Sequence, residues 1–219
     1  MDSAFIAEYT PLYVQAAWLT LRIAAAGIVL SFALGLVCAL LRYAKVPLLA
    51  KFAGAYIELS RNTPLLIQLF FLYFALPRMG IKLSGLQCCV IGMTFLGGSY
   101  MAETFRSALE SVSSVQIESA QCIGLTRTQI FCHVIFPQAA SVSVPGICAN
   151  IMFLIKETSV FSAVAVADLM YVAKDLIGLY YKTDEALTML VVAYFILLLP
   201  VTILASFAER RLRHAQFGI

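Results

Sequence analysis

Five stretches of this 219-residue chain run for sixteen residues or longer without an aspartate, glutamate, lysine, arginine or histidine: 23–41, 62–77, 83–102, 134–155 and 186–208. A helix rising 1.5 Å per residue needs roughly 20 mostly apolar residues to cross a hydrocarbon core of ~30 Å. Four runs reach or nearly reach that length, and the short one does so when residues 53–59 are added upstream. The pattern predicts an all-α integral membrane protein with five transmembrane helices near 12–42, 53–77, 84–109, 138–168 and 186–209. All five belong to one domain spanning 1–219. Hydrophobic residues make up 62% of the chain, charged residues only 12%, and the mean hydropathy is +0.91. A soluble domain carries about 25% charged residues, so 15 basic and 12 acidic side chains cannot clothe a water-facing surface of this size. A disordered chain, a secreted disulfide module and an ordinary soluble enzyme are excluded. The net charge of +3 gives no reason to expect a nucleic-acid partner.

The six cysteines form no CxxC pair and most lie in apolar runs, so buried, inert thiols are expected and no metal site. His133 and His214 stand apart. The acidic start, Met1-Asp2-Ser3, lacks the basic segment of a signal peptide. Five spans put the termini on opposite sides, and lysine and arginine mark the cytoplasmic one. Arg42, Lys45, Lys51, Arg127, Arg210, Arg211 and Arg213 gather at one set of helix ends, against Arg78, Lys82, Lys174 and Lys182 at the other. The expected topology is therefore N-terminus outside and C-terminus cytoplasmic.

The cytoplasmic segment 110–137 is long yet not polar. Ile117, Ala120 and Ile123 fall at helical spacing, Gly124 suits a helix C-terminus, and Thr126 can cap a second short helix through Ile130, Val134 and Pro137. This reads as a surface helix–turn–helix. The pattern fits equally an amphipathic loop resting on its own bundle and a docking element for another protein.

The same segment resembles a signature of the transmembrane subunits of bacterial ABC importers for polar amino acids: Glu-Ala-Ala, three residues, Gly, nine residues, Ile-x-Leu-Pro. Here it stands as Glu118-Ser119-Ala120, Gly124 and Val134-Ile135-Phe136-Pro137. Val115 replaces the glycine usual just before Gln116. Three further blocks are similar to the family and fall in register: Arg61-Asn62-Thr63-Pro64-Leu65-Leu66, Tyr100-Met101-Ala102-Glu103-Thr104-Phe105-Arg106, and Leu154-Ile155-Lys156-Glu157-Thr158-Ser159. The resemblance implies the type I ABC importer permease fold, with 110–137 as the coupling helix–turn–helix. It implies two such permease subunits, identical or homologous, around one pathway, a cytoplasmic ATP-binding subunit gripping each coupling segment, and a separate substrate-binding protein outside. ATP and magnesium would sit on the partner ATPase and no cofactor on this chain. The chain is accordingly not expected to be an enzyme, and no GxxxxGK[ST] loop occurs in it. Implied coupling residues are Glu118 near a helix start, Ala120, Gly124 at the reversal, Leu125, Arg127 and Pro137, with Ile117, Gln121, Leu125 and Arg127 turned to the ATPase.

Charge within a bilayer is costly, so ionisable residues there are functional candidates. Lys156, Glu157, Thr158 and Ser159 offer a cation, an anion and two hydroxyls within four residues, a set that suits a free amino acid; the alternative is that Lys156 and Glu157 pair with groups on other helices to fix the bundle. Asn150, six residues earlier, is expected on the same side as Lys156; the resemblance implies that an acidic residue can stand at this place in family members for basic amino acids, so the neutral amide here points to a polar neutral or acidic amino acid. Thr63 and Gln68 form a second polar patch around Pro64, which frees the Ser60 carbonyl from a helical bond. That patch fits substrate contact and a structural kink equally. Glu58 with Arg61, and Glu103 with Arg106, are three apart and expected to pair as gate or structural elements. Arg22 is expected to snorkel to the outer surface. The competing class is an ion-coupled carrier or channel, which needs no docking element.

Overall fold

The computed structural model describes the backbone of residues 1–217 and the side chains of residues 1–208. Arg210, Arg211, Arg213 and His214, used above for topology or noted there, have side chains outside the described residues. Among the described residues the secondary structure is helical throughout, with no strand.

Helix α1 (Ser3–Tyr43) begins nine residues before the predicted 12. Asp2 caps it, its carboxylate accepting from the amides of Ala4 and Phe5. Its second half is packed against α4 (Gly85–Glu110), the third span, whose bounds lie within a residue of those predicted. Small residues permit this contact. A Cβ on Gly35 would stand 2.5 Å from the Met101 Cβ and 2.8 Å from the Ala102 nitrogen. Ser31, one turn earlier, donates to the Met93 carbonyl (3.1 Å). In hydrocarbon, helices gain little from burying apolar surface, so such backbone approach supplies the attraction through dispersion.

The second span is not one helix. α2 (Pro47–Arg61) stops at Asn62, and α3 (Leu65–Phe70), continued by a π-helical turn (Phe71–Ala75) and a 3-10 turn (Leu76–Met79), leaves at 103° to it. Pro64 causes the break: it has no N–H for the Ser60 carbonyl and forces the preceding residue out of helix.

Span four also differs from expectation. The second coupling helix, α6 (Arg127–Ile130), runs through a π-helical turn (Phe131–Ile135) into α7 (Phe136–Glu157) and a 3-10 segment (Thr158–Val164), giving one rod from Arg127 to Val164. Both π turns end just before an X-Pro pair. Pro77 and Pro137 cannot donate to Tyr73 and His133 four residues back, so the amides of Leu76 and Phe136 reach five back instead, to Phe71 and Phe131.

α8 (Leu169–Tyr180) was not predicted, because Lys174 and Asp175 interrupt its apolar pattern. It packs with the first third of α1 and the start of α9 (Thr183–Phe217) in a cluster holding Phe5, Tyr13, Leu169, Val172, Leu176 and Ala186. Lys182 bridges to Asp2 (3.2 Å), and the Tyr13 hydroxyl donates to the Ala186 carbonyl (2.7 Å). Along α9, Val191, Phe195, Ile196 and Ile203 lie exposed, a face suited to hydrocarbon.

Candidate functional site

The α-helical part of span four ends at Glu157, where the chain tightens to 3-10 geometry before a left-handed residue at Ala165 (φ 55°). Lys156 is exposed and Glu157 half-buried, and neither forms an ion pair among the described residues. Thr158 is separated from them. It is fully buried, donating to the Ile155 carbonyl (2.7 Å) and sharing a hydrogen bond with the Tyr194 hydroxyl (3.1 Å), so its polar atom is already engaged. Ser159 is half-buried.

Asn150 does not lie on the Lys156 side. Six residues turn a helix by about 240°, whereas seven return to within about 20°, so Asn150 shares its face with Glu157. Its Nδ2 donates to the Thr104 hydroxyl on α4 (2.9 Å). This face borders a cavity of about 490 Å³ that also holds Arg61, Tyr100, Glu103 and Arg106. A second cavity, about 450 Å³, shares Arg61, Tyr100 and Glu103 and adds Arg42, Glu58 and Asn62. Together they make a charged groove between α2, α4 and α7.

Within it Arg106 pairs with Glu103 (2.7 Å), as its spacing predicts, and with Glu110 (2.5 Å). Arg42, 61 residues away in sequence, holds the other Glu103 oxygen. Sequence spacing offered no signal for this second partner. Glu58 and Arg61 do not form the expected pair. The Arg61 guanidinium instead stacks over the Tyr100 ring, 5.2 Å from its centroid. This leaves Arg61 as a groove cation without a carboxylate partner among the described residues.

The Thr63–Gln68 patch is a clasp across the α2–α3 break. Gln68 Nε2 donates to the Ser60 carbonyl (3.2 Å), which Pro64 cannot reach and which also accepts from Thr63 N–H (3.3 Å), and to the Thr63 carbonyl (3.0 Å), while the Thr63 hydroxyl donates to the Leu59 carbonyl (2.8 Å). Both side chains border an apolar cavity of about 500 Å³ with Phe71, Ile91 and Phe95. Arg22 lies over the exposed Trp18 ring, 5.0 Å from its centroid.

The coupling segment forms α5 (Ser114–Cys122), a reversal, and α6. Gly124 takes φ +84°, with Gly124 N–H bonded to the Gln121 carbonyl (2.9 Å) and Leu125 N–H to the Ala120 carbonyl (3.1 Å), a Schellman closure. Thr126 and Gln129 form a capping box. Three expectations are corrected. Glu118 is exposed a full turn inside α5 rather than at its start, because Ser113 already occupies the N-cap position. Ile117 and Leu125 turn inward with Ala120 onto Leu109, Ile130 and Ile135, while Val115 and Ile123 are the exposed apolar side chains, the latter 78% exposed. Pro137 lies inside the continuous rod. Of the cysteines, Cys38, Cys88 and Cys89 are buried, but Cys122 and Cys132 are exposed.

A bundle of spanning helices, one of them broken, that projects a helix–turn–helix between its third and fourth spans defines a transporter's membrane subunit of the type I ABC importer kind. Residues 31–214 match the binding-protein-dependent transport system inner membrane component family, and the chain belongs to it. It is 36% identical over 178 residues to the Probable glutamine ABC transporter permease protein GlnP of Bacillus subtilis (strain 168), covering 80% of this chain and 82% of that one. It is 33% identical over 191 residues to the L-cystine transport system permease protein TcyB of the same organism, covering 84% and 81%. A crystal structure of an amino acid ABC transporter with histidines superposes with a TM-score of 0.91 at 28% identity, covering 96% of this chain and 99% of that one. This chain is thus a multi-pass transport subunit whose ATP hydrolysis falls to a partner, and the carrier and channel alternatives are set aside.

Proposed function

We propose that this permease passes a polar amino acid through the groove between α2, α4 and α7. The observation that carries this is the pairing of opposite recognition groups along one path: the Arg61 cation and the Asn150 amide in one cavity, with the Glu157 carboxylate on the same helix face as Asn150. A zwitterion needs a cation for its carboxylate and an anion for its ammonium, and Arg61 and Glu157 supply them. Lys156 and Ser159, on the neighbouring surface, face the pathway shared with a second permease subunit, identical or homologous. Thr158, Thr63 and Gln68 hold the surrounding backbone. Relatives named for glutamine and cystine transport support an amino-acid solute.

The partners are an ATP-binding subunit, which carries ATP and magnesium, the second permease subunit and an external substrate-binding protein. The ATPase docks on Glu118 and Val115 of α5 and on Ile123 just after it, with Ala120, Gly124, Leu125 and Pro137 fixing that face and Arg127 at its flank. The protein sits in the bacterial inner membrane with its N-terminus outside and its C-terminus cytoplasmic. ATP-driven closure of the ATPases draws the coupling segments together and opens the groove outward, and hydrolysis returns it inward. Glu103 with Arg106 and Arg42, and Glu58 on α2, line the inner end as the gate.

The test is substrate-stimulated ATP hydrolysis by the reconstituted complex across a panel of amino acids. Glu157→Gln and Arg61→Gln are expected to lower stimulation by roughly 30-fold, the cost of losing one charge partner that the bound solute desolvates, with assembly intact. Lys156→Gln is expected to have a smaller effect. Undiminished stimulation in both groove variants overturns the assignment.

A further inference from the structure

We propose that a cavity between the end of α1 and the coupling segment binds the anionic headgroup of a membrane phospholipid. The cavity measures about 830 Å³ and lies between Tyr43 and Lys45 after α1, Glu110 at the end of α4, and Arg127 and Phe131 at the root of span four. Its charges are unequal. Arg42 is neutralised by Glu103, and Glu110 by Arg106. Lys45 and Arg127 are left with no carboxylate partner among the described residues. Two unpaired cations facing one cavity call for an anion.

The backbone at Lys45 supplies an independent observation. It takes φ 53°, with its N–H on the Arg42 carbonyl (3.1 Å) and the next N–H on the Leu41 carbonyl (3.4 Å). That is a left-handed helix terminus, a position where glycine is the unstrained residue and a lysine carries a steric penalty. A strained, exposed lysine aimed into a cavity is the kind of outlier that marks a binding role.

Position selects the class of anion. Lys45 follows the uncharged run 23–41 by four residues, and Leu48, Leu49 and Phe52 just after it are exposed apolar side chains at the start of α2. The cavity therefore opens where hydrocarbon gives way to headgroups. Part of its lining is apolar: Ile130 and Ile135 border it together with the Tyr43 and Phe131 rings, which stand 6.0 Å apart. A phosphate with acyl chains attached fits cations above and apolar surface beside them, whereas a free anion gains nothing from the latter. The bound lipid would brace the root of the coupling segment.

The experiment is native mass spectrometry of the purified permease complex from mixed phosphatidylglycerol and phosphatidylcholine nanodiscs, without ATP or amino acid. A failure of the transport reading would therefore leave this result untouched. Wild type is expected to retain phosphatidylglycerol about 30-fold over phosphatidylcholine, each cation contributing about fivefold. Lys45→Gly, which relieves the backbone, and Arg127→Gln should each lower the preference about fivefold, and Lys51→Gln should leave it unchanged. Three results would each overturn the proposal: preference unchanged in both cavity variants, equal loss in Lys51→Gln, or displacement of the lipid by millimolar inorganic phosphate.

Discussion

Glu103 and Arg42 meet across the α1–α4 contact although 61 residues separate them, and the same carboxylate also holds Arg106 on its own helix at 2.7 Å. All three side chains are roughly a quarter exposed, so the network is only partly screened by solvent. Removing the shared anion leaves two guanidinium groups facing each other. Glu103→Gln is expected to destabilise the protein by about 1–3 kcal/mol, read as a lower midpoint in thermal unfolding of the detergent-solubilised complex. In a double-mutant cycle, Glu103→Gln combined with Arg42→Gln should cost less than the two separate changes added together. Strict additivity would show that the bridge contributes nothing.

Gly35 is the tightest point between the first and third spans that backbone atoms define. A side chain there meets the Ala102 nitrogen at 2.8 Å, which no rotamer change can relieve. Gly35→Val is expected to separate the helices and lose at least ~1–3 kcal/mol. Gly54→Val provides the control, since nothing lies within 4 Å of a Cβ at that position. Equal unfolding midpoints for the two variants would refute close approach as the source of the α1–α4 attraction.

Gly124 meets nothing when a Cβ is added, yet its φ is +84°. The penalty for a side chain is therefore conformational, about 1–2 kcal/mol, and confined to the coupling turn. Gly124→Val is expected to insert normally, keep its global unfolding midpoint within a few degrees and lose ATPase stimulation. Gly124→Asn, which tolerates left-handed geometry, should recover much of it. Wild-type coupling in both variants removes the turn from the docking role.

Asp168 lies between the 3-10 segment and α8, outside the spanning helices. It caps α8 by accepting from Tyr171 N–H (2.9 Å), but its Oδ2 is buried without a partner. Burial pushes its carboxyl up from 3.8 to about 6, against the lowering influence of the backbone bonds. The folded state thus holds the proton more tightly than the unfolded one. The contribution of Asp168 to stability is therefore most favourable below about pH 4 and falls as pH rises to about 6, above which the charged form bears the full burial penalty. Asp168→Asn is expected to stabilise the complex by about 2–3 kcal/mol at pH 8 and by little at pH 4. A gain independent of pH would mean that the carboxyl does not titrate in the fold.

Local chemistry was legible in the sequence. The uncharged runs located the spans, because hydrocarbon tolerates little else. Gly124 and Thr126 located both sides of the coupling turn, because caps are made by residues within a few positions of one another. Glu103–Arg106 followed from helical spacing alone. The motif blocks identified the type of subunit.

Tertiary structure decided what depends on distant partners. Pro64 announced a break but not its 103° angle, which rests on Gln68 reaching back to Ser60 and on the packing of α3 against the 3-10 segment. Pro137 gave no sign that α6 and α7 form one rod, since a π turn can absorb a proline without ending a helix. Its proximity in sequence puts Asn150 with Lys156, but the contact with Thr104 turns it toward α4, on the helix face that spacing assigns to Glu157. Arg42 was read as a surface charge and became the second partner of Glu103. Helix formation and caps are short-range, so residue order alone encodes them; which charge meets which depends on how the finished rods lie against one another.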